Sequence, residues 1–161
     1  MKKILIVLAC LLALCLTLGA VSADDNWHLS FGDNSNGGSV EMENNELELQ
    51  DIDFIIPDGY VENETERLLA NDTDDGNKIS KCVFQNGDKQ IIVKVVFSDI
   101  VYSDDDYTPA EEAEAKNITN QSGYYYVNSD GESVFDYVKD GKLVEIIAPD
   151  EQTISSIIVD D

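Results

Sequence analysis

Between Gly123 and Asp161 the chain repeats one pattern: short aromatic or β-branched runs separated by Asp-Gly. No other feature restricts the fold as strongly. The run 124–127 leads into Ser129-Asp130-Gly131, the run 134–138 into Asp140-Gly141, and the run 143–147 into Pro149. Aromatic and β-branched residues favour strands, and Asp-Gly between such runs is a strong hairpin signal. Glycine takes the positive φ that primed turns require, and aspartate tolerates it. After Pro149, Asp150 and Glu151 open a helix whose Ile154, Ile157 and Ile158 share one face. The expectation is a meander of three strands with a helix covering it.

The other end of the chain reads as an address. Lys2 and Lys3 form a basic start, residues 4–18 an apolar run, and Val21-Ser22-Ala23 a small-residue cleavage site. The apolar run is shorter than the ~20 residues a bilayer-spanning helix needs. Residues 1–23 are therefore expected to be a cleaved signal peptide, leaving residues 24–161 with no membrane span. The leader takes two of the 10 basic residues and none of the 33 acidic ones. The remainder then has 8 basic residues against 33 acidic ones, a formal −25. Such a field repels nucleic acid and anionic membrane surfaces. Cys10 and Cys15 lie in the leader, so Cys82 stands alone beside Ile79, Val83 and Phe84 and reads as a small buried residue.

Within 24–51, Trp27, Leu29 and Phe31 alternate with polar residues, as do Val40 and Met42, then Leu47 and Leu49. This segment reads as an N-terminal arm with short strands, preceding a single domain over 52–161. Residues 54–56 form a strand ended by Pro57-Asp58-Gly59. Val61, Thr65, Leu68 and Leu69 recur at helical spacing and predict a helix over 61–70. Asn86-Gly87-Asp88 joins two strands, the second with Ile91, Val93, Val95 and Phe97 on one face. Thr108-Pro109-Ala110-Glu111 resembles a helix start and predicts a helix to about Lys116, with a light, alanine-rich face.

No motif announces catalysis. G-x-S-x-G, H-E-x-x-H and the phosphate-binding loop are absent from the sequence, and His28 is its single histidine. Acidic runs at Asp72, Asp74 and Asp75 and at Asp104, Asp105 and Asp106 read as solvated loops. Asn71 to Gly76 resembles the start of a calcium loop, but the bidentate position falls on Cys82. Tyr124, Tyr125, Tyr126 and Tyr137 are a candidate aromatic ligand surface, although strand alternation turns 124 and 126 away from 125 and favours core packing for at least one side. Four acceptor triplets, beginning at Asn63, Asn71, Asn117 and Asn120, are candidate glycosylation sites.

The segment Phe54-Ile55-Ile56-Pro57-Asp58-Gly59-Tyr60, with Gly123-Tyr124-Tyr125 and the run from Phe135 to Ile146, resembles the small exported proteins of methanogenic archaea that have no assigned activity. Their layout is similar to PsbP-like α+β folds. The resemblance covers roughly 52–161, implies a fold and an exported location, and brings no functional residues.

These readings combine into one expectation. The chain is an α+β protein, a twisted antiparallel sheet of about five or six strands in hairpins, with helices packed on one face. It is secreted or at the cell surface, non-catalytic, without a cofactor, and meets an unknown protein or glycan partner there. The rival reading is a hydrolase or metal-dependent binder using the loop carboxylates.

Overall fold

The computed structural model describes residues 29–31, 37–103 and 106–160. The proposed leader 1–23, Trp27, His28, Asp104 and Asp105 lie outside the described residues.

The chain folds as two antiparallel sheets. The smaller has the order β1-β2-β3-β4: β1 (Leu29–Phe31), β2 (Val40–Glu43), β3 (Glu46–Leu49) and β4 (Asp53–Ile55). The larger is built from β5 (Val61–Glu62), β6 (Leu68–Asp72), β7 (Lys78–Asn86), β8 (Lys89–Phe97), β9 (Glu114–Ile118), β10 (Gln121–Val127), β11 (Ser133–Lys139) and β12 (Lys142–Ala148). Its order is β5-β7-β8-β12-β11-β10-β9, with β6 also pairing β7. One α-helix, α1 (Glu151–Ile157), follows β12.

The expected α+β architecture, PsbP-like with helices on one sheet face, is therefore incorrect: the protein is mostly β. The larger sheet has eight strands and not five or six, because two predicted helices are edge strands. Residues 61–70 form β5, a single 3-10 turn at Glu64–Glu66 and the start of β6. A ten-residue helix in water is marginal on its own. Pairing with β7 instead gives the segment backbone partners, among them Asn63 N–H donating to the Val83 carbonyl. Residues 109–116 become a turn at Ala110–Ala113 and then β9. The alanine face offered a helix little burial, whereas β9 pairs with β10 along its length and buries Ile118.

The turns expected from Asp-Gly and Asn-Gly are present. Asp140 and Gly141 both take positive φ (50° and 72°) between β11 and β12, as a primed turn requires. Gly87 (61°) turns β7 into β8. The closing helix also forms. The Asp150 carboxylate accepts from Thr153 N–H at 2.8 Å, capping α1, and this bond lowers the Asp150 pKa. Ile154, Ile157 and Ile158 are all buried.

The core lies between the layers. The inner face of the large sheet presents Cys82, Phe84, Ile91, Val93, Val95, Phe135, Tyr137, Val144 and Ile146. Against it pack α1 and one face of the small sheet, through Val40, Leu47, Leu49, Ile52 and Phe54. Strands β2 and β3 thus share one core with residues 52–158. Lys142 donates to the Gln50 carbonyl, and Gln50 donates to Ser80 at 2.9 Å, tying the sheets through a turn in which Gln50 and Asp51 both have positive φ.

Candidate functional site

The outer face of the large sheet holds the grouping with chemical content. Strand register aligns Lys81, Lys94, Glu145, Asp136, Tyr124 and Ala115 in one row across β7, β8, β12, β11, β10 and β9. The alternation that sends Phe135 and Tyr137 into the core sends Asp136 outward. Asp136 is nevertheless only 3% exposed. The segment joining β8 to β9 brings Tyr107 onto this face, where its hydroxyl donates to Asp136 Oδ2. The ring of Tyr107 meets that of Tyr124 with centroids 5.7 Å apart and planes tilted by 45°.

A cavity of about 150 Å³ opens beside this contact, lined by Tyr107, Tyr124, Asp136, Ser122, Ala115 and Gly123, among others. Among the described residues no second hydrogen bond reaches the Asp136 carboxyl. Among the described residues no fully buried side-chain nitrogen or oxygen lacks a partner, and Asp136 is one of the residues that line the cavity. Burial raises the Asp136 pKa to about 6; the charge of Glu145 adds to the rise, while the Tyr107 hydrogen bond and Lys94 oppose it. Burial, the Asp136 hydrogen bond and its charge together push the Tyr107 phenol well above its ordinary value. Lys94 does not neutralise Asp136 directly, because its ammonium is paired with Glu145.

The tyrosine run divides as alternation requires. Tyr125 and Tyr137 pack on the core, Tyr125 sharing a hydrogen bond with Ser133 at 2.9 Å and lying under Lys116 Nζ. Tyr124 and Tyr126 face outward beside Asp136. Sequence reasoning missed Asp136 and Tyr107. The available signal was an acid at the centre of Val134-Phe135-Asp136-Tyr137-Val138, where a strand otherwise built for burial carries a charge. Nothing in the sequence marked Tyr107.

The acidic loops are occupied by their own turns. Thr73 Oγ1 donates to Asp75, and Asn77 Nδ2 donates to it at 2.8 Å, which lowers the Asp75 pKa. Asp106 accepts from the backbone and hydroxyl of Ser103 and is lowered likewise. Among the described residues no three His, Cys, Asp or Glu side chains converge as a metal site would need. A separate acidic strip runs over the small sheet, where Glu41, Glu48 and Asp53 stand directly opposite one another with Glu43 and Glu46 adjacent. Partial burial first, then Asp53, Asp51 and Glu41, raise the Glu48 pKa. Cys82 is fully buried, and burial pushes its thiol pKa far upward, so it is a poor nucleophile.

The four acceptor asparagines are dispersed. Asn63 is partly buried and bonds Glu66 and Thr65. Asn71 is exposed on β6, Asn117 is exposed on β9 beside Ser122, and Asn120 donates to Asp160 from the β9–β10 turn. No described helix is long and apolar enough to cross a membrane.

Comparison of the chain with protein-family models, with curated proteins and with solved structures finds no match in any of the three.

Proposed function

We propose that the chain is an exported, non-catalytic binding module, secreted or held at the cell surface, and that it takes a small ligand group on the outer face of its large sheet. The observation that carries this reading is the Asp136 carboxyl. It is buried in mid-sheet, it accepts from the Tyr107 hydroxyl, and its residue lines the cavity together with Tyr107 and Tyr124. A cavity of about 150 Å³ is well below the 300–1,000 Å³ typical of whole-ligand pockets, so it suits a chemical group and not an extended molecule.

The geometry favours binding over hydrolysis. Asp136 and Glu145 are cross-strand neighbours, the arrangement a pair of catalytic carboxyls could exploit. Glu145, however, is spent on Lys94 and does not line the cavity. Among the described residues no serine, cysteine or histidine is hydrogen-bonded to Asp136, whose partner is a phenol of strongly raised pKa.

Export and glycosylation belong to the same proposal, supported by the leader-like residues 1–23 and the exposed triplets at Asn71, Asn117 and Asn120. Mass spectrometry of the protein from its host should find an N-terminus at Asp24, with added glycan mass on one or more of Asn63, Asn71, Asn117 and Asn120. Retention of Met1 would contradict export. For binding, a screen of small amines, amino acids, carboxylates and sugars by amide NMR should give hits that move Gly123, Tyr124 and Asp136. Hits confined to other surfaces would overturn the site.

A further inference from the structure

We propose that the cavity bounded by Tyr107, Tyr124 and Asp136 binds an organic ammonium group, presented by a small amine or by the tip of a lysine side chain; this deepens the binding reading above and rests on it. Three observations converge. The first is the carboxyl of a residue that is 3% exposed; among the described residues it has a single, neutral hydrogen-bond donor and no ion-pair partner. Lys94, in the same cross-strand row, is already held by Glu145, so among the described residues no ammonium pairs with Asp136. A buried carboxylate in that state is complementary to a cation and disfavours any anionic ligand.

The second observation is aromatic. Tyr107 and Tyr124 both line the cavity, with ring centroids 5.7 Å apart. Ring faces beside a carboxylate attract ammonium groups through the ring quadrupole, the more so where water is excluded. Tyr107 also holds Asp136 in place, so a ligand meets a carboxylate already fixed in position.

The third is fit. The cavity is too small for a sugar ring with its hydration, and Ala115 and Gly123 give it an apolar side. Ser122, an exposed residue of the lining, has a hydroxyl that accepts from Asn117 Nδ2 at 3.3 Å and has a second lone pair for one ammonium hydrogen. A primary ammonium uses each of these elements and a fully methylated one all but the Ser122 acceptor, whereas a neutral alcohol leaves the carboxylate charge unmatched.

The test is amide NMR of the full chain titrated with methylammonium and tetramethylammonium chlorides, with sodium chloride and tert-butanol as controls and Nα-acetyl-lysine amide as a side-chain mimic. Saturable shifts at Gly123, Tyr124 and Asp136 are expected with the ammonium probes and with neither control. Asp136→Asn should weaken them at least tenfold. Tyr124→Leu, which leaves the carboxylate in place, should weaken them severalfold. Tighter binding of the lysine mimic than of methylammonium would point to a lysine tip as the source, and the reverse order to a free amine. If tert-butanol moves the same amides as strongly, or Asp136→Asn binds as well as wild type, the ammonium assignment is overturned while the cavity remains a binding site. If none of these probes moves them, the ammonium assignment fails, and hits at these amides in the wider ligand screen would show whether the cavity binds another class.

Discussion

Replacing Asp136 by asparagine should stabilise the free protein at alkaline pH, and the gain should vanish in acid. In the folded chain the Asp136 pKa is about 6, raised chiefly by burial, against 3.8 for the ordinary group. At about 1.4 kcal/mol per pH unit, that difference means ionised Asp136 costs the fold about 3 kcal/mol. The sign follows from proton linkage. The folded state holds the proton more tightly, so stability falls as pH rises from about 4 to about 6, and the cost is fully present above that. Asparagine keeps the shape and a carbonyl to accept from Tyr107 but carries no charge. Burying its amide takes back about 1–2 kcal/mol, leaving a net gain of about 1–2 kcal/mol at pH 8. With a urea slope of about 1–3 kcal/mol/M for small proteins, the midpoint should rise by roughly 1 M. Urea unfolding of both proteins at pH 8 and pH 4 isolates the effect, since the other carboxylates contribute equally to each. An Asp136→Asn protein less stable than wild type at pH 8, or a difference that does not change with pH, would refute the buried-charge argument.

Gly123 faces the backbone of β11, where an added Cβ would lie 2.2 Å from the Asp136 carbonyl oxygen and 2.9 Å from the Tyr137 Cβ. Gly123→Ala should therefore lower stability by about 1–3 kcal/mol and loosen the cavity, measurable by thermal melting. Ile157 is fully buried under the sheet, and Ile157→Ala should cost about 2–5 kcal/mol in urea; an unchanged midpoint would mean that α1 does not close the core. Gly141 and Gly87 both have positive φ, but a Cβ at Gly141 would lie 2.4 Å from Val101 whereas Gly87 opens onto free space. Alanine at 141 should thus cost more than alanine at 87, where only the backbone penalty of about 1 kcal/mol applies. Equal melting temperatures would show that Val101 yields freely.

What the sequence disclosed depends on how local the cause was. Asp140-Gly141 and Asn86-Gly87 specify their turns through φ alone, and Ile154, Ile157 and Ile158 specify the buried face of α1, so those elements were legible. The alternation of Leu47 and Leu49 also showed the strand, although not that the small sheet would share the main core. The segments 61–70 and 109–116 misled because spacing and capping signals are weak beside a free edge on β7 or β10. Leu68 and Leu69 fit helical spacing, yet the buried Ala70 sits at φ 49° in a bulge that no local propensity favours. The candidate site was half legible. Alternation correctly parted Tyr125 from Tyr124 and Tyr126, but Tyr107 reaches Asp136 across 29 residues, a juxtaposition set by the path of a connecting segment. The described acids of the acidic runs are exposed, while the consequential carboxyl is a lone acid inside an apolar strand, a setting it shares with Glu145 of β12.

The most direct measurement of the account is the titration of the Asp136 carboxyl by carbon-13 NMR, with and without saturating methylammonium. The account predicts a midpoint near 6 in the free protein and a fall toward the ordinary carboxyl range when the ammonium is present, because a cation stabilises the charged form. A midpoint already near 3.8, or one near 6 that methylammonium leaves unmoved, would contradict it.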